Sequence, residues 1–183
     1  MANQKLKACI AYICQKERPQ QSALDPVKLN KVLWYSDASS YMDTRASITG
    51  SKYIRKPRGP VAKGMMAAIG ELERSNVITI GRRYDESVGA WLETYDFTGR
   101  EQVASDDIED DDPPIELTAG EKERLDAAHK KVCLESDSDS ISERTHGEIW
   151  NLASDGEEIP LFAAYAECLG RITKEHVQAA SAA

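Results

Sequence analysis

Nowhere in the 183 residues does an apolar run approach the roughly 18–20 positions needed to cross a bilayer. With 30% charged residues and a mean hydropathy of −0.51, the chain reads as a water-soluble protein. The opening MANQKLKACIAYIC is too short and too interrupted by charge for a secretion signal, which sets the expectation of a cytoplasmic protein. Bases are outnumbered, 23 Lys and Arg against 31 Asp and Glu. A net charge of −8 argues against a general nucleic-acid or anionic-membrane binder, because neutralising phosphates takes clustered bases, and it favours a basic protein partner. Cys9, Cys14, Cys133 and Cys168 form no Cys-x-x-Cys pair and have no histidine at ligand spacing, so the expectation is reduced cysteine acting as a small hydrophobe, and no metal. There is no phosphate-cradling glycine loop and no internal repeat, hence no expected cofactor.

What is present is organised around residues 25–80. Asp25 can cap a helix with Pro26 in its first turn, where a missing N–H costs nothing. Leu29, Val32, Leu33 and Ser36 follow on one face, widened by Trp34, Tyr35 and Tyr41. A second helix is expected to begin at Gly59 and Pro60, with Val61, Met65, Ala68, Ile69 and Leu72 as its apolar stripe and Asn76 as a left-handed stop. Gly64 and Gly70 inside that pattern suggest close helix packing. Between the two helices lies a long segment in which Gly50, Pro57 and Gly59 impose turns and residues 52–56 look extended. It holds the densest basic cluster of an acidic chain, Lys52, Arg55, Lys56 and Arg58. A connection this long and chemically distinctive is a candidate for function.

Around this unit the pattern predicts a helix over 3–17 with Leu6, Cys9, Ile10 and Ile13 inward, stopped by Pro19. A β-hairpin is expected from 76–83 and 89–97, with Tyr84 to Val88 as its turn and Trp91, Tyr95 and Phe97 on one face. The acidic run 105–114 reads as a solvated loop, since it lacks the glycine and terminal glutamate of a calcium site. Thr118 and Glu121 form a capping box for a helix carrying Leu125, Ala128, His129 and Val132, with His129 read as a partly buried or surface histidine. After the polar loop 135–140, Ser142 caps a helix through His146 and Trp150 that Gly156 ends. A last helix from Pro160 should turn Leu161, Phe162, Tyr165, Cys168, Leu169 and Ile172 inward, and the tail beyond Lys174 should fray. The fold class is therefore mainly α (α+β), one domain over 1–183, with a small antiparallel hairpin or a three-stranded sheet to which 52–56 could add the third strand.

The order KLNKVLWYSD, SITGSKYIRKPRGPV, a helix ending in a short β run and then SERTHGEIW resembles the Panacea domain, the SocA-like antitoxin domain of bacteria and their phages, over residues 4–152. The resemblance implies a protein that binds and neutralises a cognate protein toxin. In one branch of the family it also implies an adaptor that delivers the toxin to a ClpXP-type protease. The family's polar signature falls on Ser142, Thr145, His146 and Trp150.

Exposure and chemistry point to the toxin-binding candidates Thr49, Gly50, Tyr53, Arg55, Arg58 and Gly59, and the resemblance at YSD adds Tyr35 and Asp37, expected to project from the neighbouring helix. The same residues have a purely structural reading, in which Arg55 or Arg58 pairs with Asp37 or an acidic loop and Gly59 and Pro60 only start a helix. A competing function is a winged-helix-like transcriptional regulator, given helix, helix and hairpin in that order. The connection from Met42 to Gly59 is too long for a helix-turn-helix, and the would-be recognition helix offers only Lys63 and Arg74 as bases. An enzyme is not expected, because Ser142 and His146 lack an orienting acid and a nucleophile elbow.

Overall fold

The computed structural model describes residues 3–17, 24–86, 89–99, 115–134, 150–151 and 153–162. The acidic run 105–114, the loop 135–140, Ser142, Thr145, His146, Cys168 and the tail lie outside these residues.

Helix α1 (Gln4–Glu17) buries Leu6, Cys9, Ile10 and Ile13 as its spacing predicts. Helix α2 (Pro26–Thr44) starts where expected, the Asp25 carboxylate accepting from the amides of Val27 and Lys28 at 2.7 and 2.9 Å. Strands β1 (Tyr53–Lys56) and β2 (Gly59–Ala62) follow, then helix α3 (Met65–Arg74), which buries Met65, Ala68, Ile69 and Leu72. Strands β3 (Ile78–Asp85) and β4 (Ala90–Phe97) form the second hairpin. Helix α4 (Ala119–His129), with the Thr118–Glu121 capping box in place, runs on as a π-helical turn over Lys130–Leu134. The two-residue strand β5 (Glu158–Ile159) completes the described elements.

The architecture is mainly α with two small antiparallel sheets, one ordered β2-β1-β5 and the other β3-β4. Leu6, Ile10 and Ile13 of α1, Leu29, Val32 and Leu33 of α2, Ile69 and Leu72 of α3, Ile78, Tyr95, Leu125 and Val132 share one core. Each such aliphatic side chain stabilises the fold by about 1.5–3 kcal/mol relative to exposure. No described helix is long and apolar enough to cross a membrane.

The structure corrects the sequence reading at several points. Gly59 and Pro60 do not begin a helix; they lie in β2, where Pro60 stands opposite Arg55 on an edge strand that can spare its N–H. Val61 is accordingly a strand residue, and Gly64, with φ of 86°, caps α3 instead. Among the described residues, no neighbouring element comes within 4 Å of where a Cβ on Gly64 or Gly70 would stand, so close packing against them is not the reason for these glycines. Residues 53–56 do add a strand, but to β2 and β5 rather than to the second hairpin. That hairpin's strands continue to Asp85 and from Ala90, which pairs Tyr84 with Trp91 where a turn was expected. Phe162, expected inward, is exposed. Asn76 does take the left-handed conformation, at φ of 56°.

Candidate functional site

Helix α2 is buried almost all round, and one of its stripes is not apolar. Asn30, Trp34 and Asp37 recur at i, i+4 and i+7, on the face turned toward β1 and β2. Asn30 Oδ1 accepts the amide of Ala62 at 3.3 Å, and Trp34 meets the Tyr53 ring edge-on with centroids 4.9 Å apart.

Asp37 does the most. Its Oδ1 accepts the backbone amides of Ile48 and Thr49 at 2.8 and 2.9 Å, and its Oδ2 accepts the hydroxyls of Thr49 and Tyr53, the latter at 2.8 Å. Asp37 and Thr49 are wholly buried and Tyr53 nearly so. The bracket extends to the first described residue, Asn3, whose Nδ2 donates to the Thr49 carbonyl at 2.6 Å.

Burial raises the Asp37 carboxyl above the ordinary value, and the donors from Thr49, Tyr53 and Ile48 only partly oppose it. Burial, followed by the Asp37 charge, drives the Tyr53 phenol well above its usual range. Both carboxylate oxygens are saturated by donors of the same chain. The chemistry open to the group is therefore to fix the segment 48–53 against α2.

The sequence candidates separate accordingly. Asp37, Thr49, Tyr53 and Gly59 are interior, and Asp37 does not project from its helix because it satisfies the loop's backbone instead. Gly59 sits at φ of 121°, a conformation open to glycine, at the exit of the β1–β2 turn. Gly50 and Arg58 are exposed. Arg55 lies half-buried, its guanidinium 4.4 Å from the Trp150 ring centre and its Nε donating to the Trp150 carbonyl at 3.3 Å. Lys52 pairs with Glu158 at 3.0 Å and Lys56 with Asp155 at 3.4 Å. Three of the four clustered bases are thus engaged by 150–158, while Arg58 makes no ion pair with a described residue. Tyr35 lies elsewhere, under the Lys131 ammonium at 4.1 Å, because residues two apart on a helix point about 200° apart. Of the family signature, Trp150 alone is described.

Sequence reasoning missed two features. The strand β5 has only two residues and carries little pattern; Gly156, expected as a helix stop, lies at φ of 82° in the turn that leads into it. The other is the cluster of Glu17, His129 and Cys133, whose ligand atoms all lie within 4.8 Å of one another. His129 and Cys133 are four apart on one helix, a ligand spacing the reading passed over. Burial pushes the three described thiols up, Cys9 well up and Cys14 and Cys133 to about 12, so none of these three is poised as a nucleophile.

The family model for the SocA-like antitoxin, Panacea domain, matches residues 29–151, about two thirds of the chain, from the first turns of α2 to the segment that stacks on Arg55. No curated protein and no solved structure matches the chain. The protein belongs to the SocA-like antitoxin family, through its Panacea domain.

Proposed function

We propose that this antitoxin neutralises a cognate protein toxin in the cytoplasm by direct, stoichiometric binding, and that the toxin docks on the outer rim of the β1–β2 hairpin. The observation that carries the reading is the four-donor bracket on Asp37. It fixes a basic hairpin to the core, so that binding there incurs little ordering entropy. Arg58 at the turn has no ion-pair partner among the described residues, with Gly50 exposed on the same segment and Arg55 on Trp150 beside it. Arginine and aromatic groups of this kind dominate hot spots. Asp37, Thr49, Tyr53 and Gly59 act in positioning this rim.

The DNA-binding alternative has weaker support. The exposed side of α3 carries Met66, Ala67, Glu73 and Arg74, which offers phosphates one base beside an acid. Delivery to a ClpXP-type protease is a finer form of the same function, in which the toxin disappears rather than being held.

Co-expression tests the reading. The reading frame beside this gene, expressed alone, is expected to arrest growth, and this chain to reverse the arrest and co-purify with its product in equal amounts. Arg58→Glu should abolish reversal with an unchanged melt. A harmless neighbour, or full rescue by Arg58→Glu, overturns the proposal. Toxin half-life in cells with and without the protease separates holding from delivery.

A further inference from the structure

The end of α1 meets the π-helical turn after α4 at three ligand-type side chains. Glu17, the last residue of α1, is hydrogen-bonded through Oε2 to His129 Nε2, and Cys133 Sγ completes the cluster. Glu17 and His129 are 3% and 6% exposed. The second Glu17 oxygen, Oε1, is buried with no hydrogen-bond partner among the described residues. A carboxylate oxygen left so costs stability and calls for an explanation. The second irregularity is local: the π turn over Lys130–Leu134 begins right after His129 and contains Cys133, and such turns recur at functional sites.

We propose that Glu17, His129 and Cys133 bind a divalent cation of the zinc class, which clamps the end of α1 to the end of α4. Carboxylate, imidazole and thiolate together are a donor set that zinc accepts and that calcium or magnesium does not favour. Bonds of about 2.3 Å to sulfur and about 2.0 Å to nitrogen and oxygen set tetrahedral ligand atoms about 3.3–3.5 Å apart. The cluster reaches this by a small inward turn of Cys133 and by parting Glu17 from His129. On binding, the Cys133 thiol gives its proton to solvent, and the hydrogen bond between Glu17 Oε2 and His129 Nε2 opens, the imidazole keeping its proton on Nδ1. The cation takes a lone pair from Sγ, from Nε2 and from Glu17, and water fills the fourth position. Burial, the Glu17 and Asp25 carboxylates and the opposing Lys28 ammonium leave the metal-free Cys133 thiol protonated. A bound cation reverses that preference by stabilising the thiolate. The site is independent of the docking rim, and Glu17 lies outside the matched family segment.

The test uses the full chain, stripped by chelator and titrated with Co2+ as a spectroscopic probe and with Zn2+ alone. One equivalent of Co2+ should give a thiolate-to-cobalt charge-transfer band and tetrahedral d–d bands, which Zn2+ displaces. Zn2+ should also raise the melting temperature. Cys133→Ser should abolish the charge-transfer band, and Glu17→Gln and His129→Gln should weaken Co2+ binding at least about tenfold, the scale on which even outer ligand partners act. Cys9→Ser, Cys14→Ser and Cys168→Ser should each keep the band. If Cys133→Ser does not fold, survival of the band in those three single variants identifies Cys133 by elimination. Absence of the band in the wild type, its survival in a folded Cys133→Ser, or its loss in Cys168→Ser overturns the assignment.

Discussion

Tyr53 Oη donates to Asp37 Oδ2 at 2.8 Å with both side chains sealed from solvent. The bond ties a strand to a helix across sixteen residues, and the same carboxylate fixes the backbone at Ile48 and Thr49. This one group makes four of the hydrogen bonds that hold the long connection between α2 and α3 against the core, beside those of Asn30 to Ala62 and Asn3 to Thr49.

Asp37→Ala should therefore cost about 3–5 kcal/mol, because it strands several buried donors at once. Asp37→Asn keeps the shape and some acceptors and should cost about 2 kcal/mol; Tyr53→Phe, losing one bond to a charged group, about 1.5–3 kcal/mol. Urea melts at neutral pH measure all three. The pH dependence has a defined sign. Burial raises the Asp37 carboxyl above its ordinary 3.8, so between the unfolded and folded values the folded state holds more protons. Its contribution is fully present below the ordinary carboxylate range and is lost as pH rises through the folded value. The stability advantage of wild type over Asp37→Asn should grow as pH falls from 7 toward 4, and a shrinking advantage would mean that the carboxyl is lowered instead.

Arg55 and Arg58, three apart in sequence, should behave differently. Arg58 has no described ion-pair partner, and Arg58→Glu should change stability by less than about 0.5 kcal/mol while eliminating neutralisation. Arg55→Glu should cost about 1–2 kcal/mol by losing the Trp150 stack and its carbonyl bond, and Arg55→Lys should recover part of that. Melts paired with growth rescue separate the two; equal destabilisation would show that Arg58 is also held internally.

This contrast marks what the sequence could and could not reveal. Helices α1, α2 and α4, the cap at Asp25, the box at Thr118 and the stop at Asn76 were legible because each is decided by contacts within about one turn. Gly59-Pro60 misled because a glycine followed by proline suits either a helix start or an edge strand, and only pairing with 53–56 decides. Asp37 looked exposed because an acid between Ser36 and Ala38 ordinarily faces water; its burial depends on backbone donors eleven and twelve residues on. An Asn30, Trp34, Asp37 stripe on a helix already apolar elsewhere was the available signal. For Glu17 and His129, 112 residues apart, the sequence held only the His129–Cys133 spacing.

A smaller electrostatic link joins the termini of α1 and α4. Glu121 Oε2 accepts from Lys5 Nζ at 2.9 Å and from the Thr118 amide at 2.8 Å. Burial pulls its carboxyl upward, but the Lys5 and Thr118 hydrogen bonds outweigh that and hold it below the usual value. The sign is the reverse of Asp37: this contribution is present above the ordinary carboxylate range and lost as pH falls through the folded value. Glu121→Ala should cost about 1 kcal/mol at pH 7 and progressively less in acid, as read from melts at both ends of that range.

One face of the second hairpin is apolar at both ends, with Arg82 opposite Glu93 between them, and leaves the core partway along. Ile78 and Tyr95 are buried at its base, while Tyr84 and Trp91 at its tip are 48% and 67% exposed. Register sets the tip pair opposite each other, and the rings meet edge-on with centroids 5.6 Å apart. Such a pair is worth about 0.5–1.5 kcal/mol beyond its buried area. Tyr84→Ala and Trp91→Ala should each cost about 1 kcal/mol, and the double variant should cost less than the two together by the coupling energy. Tyr95→Ala, at the buried end of the same face, should cost about 3–5 kcal/mol. The coupling distinguishes two states of the tip. A value near the upper end shows a hairpin held rigid out to its exposed end, whereas zero coupling shows that the rings do not meet in solution and that the side-chain contribution to register comes from the base, where Ile78 and Tyr95 are buried and the Tyr95 amide donates to the Leu24 carbonyl at 2.9 Å.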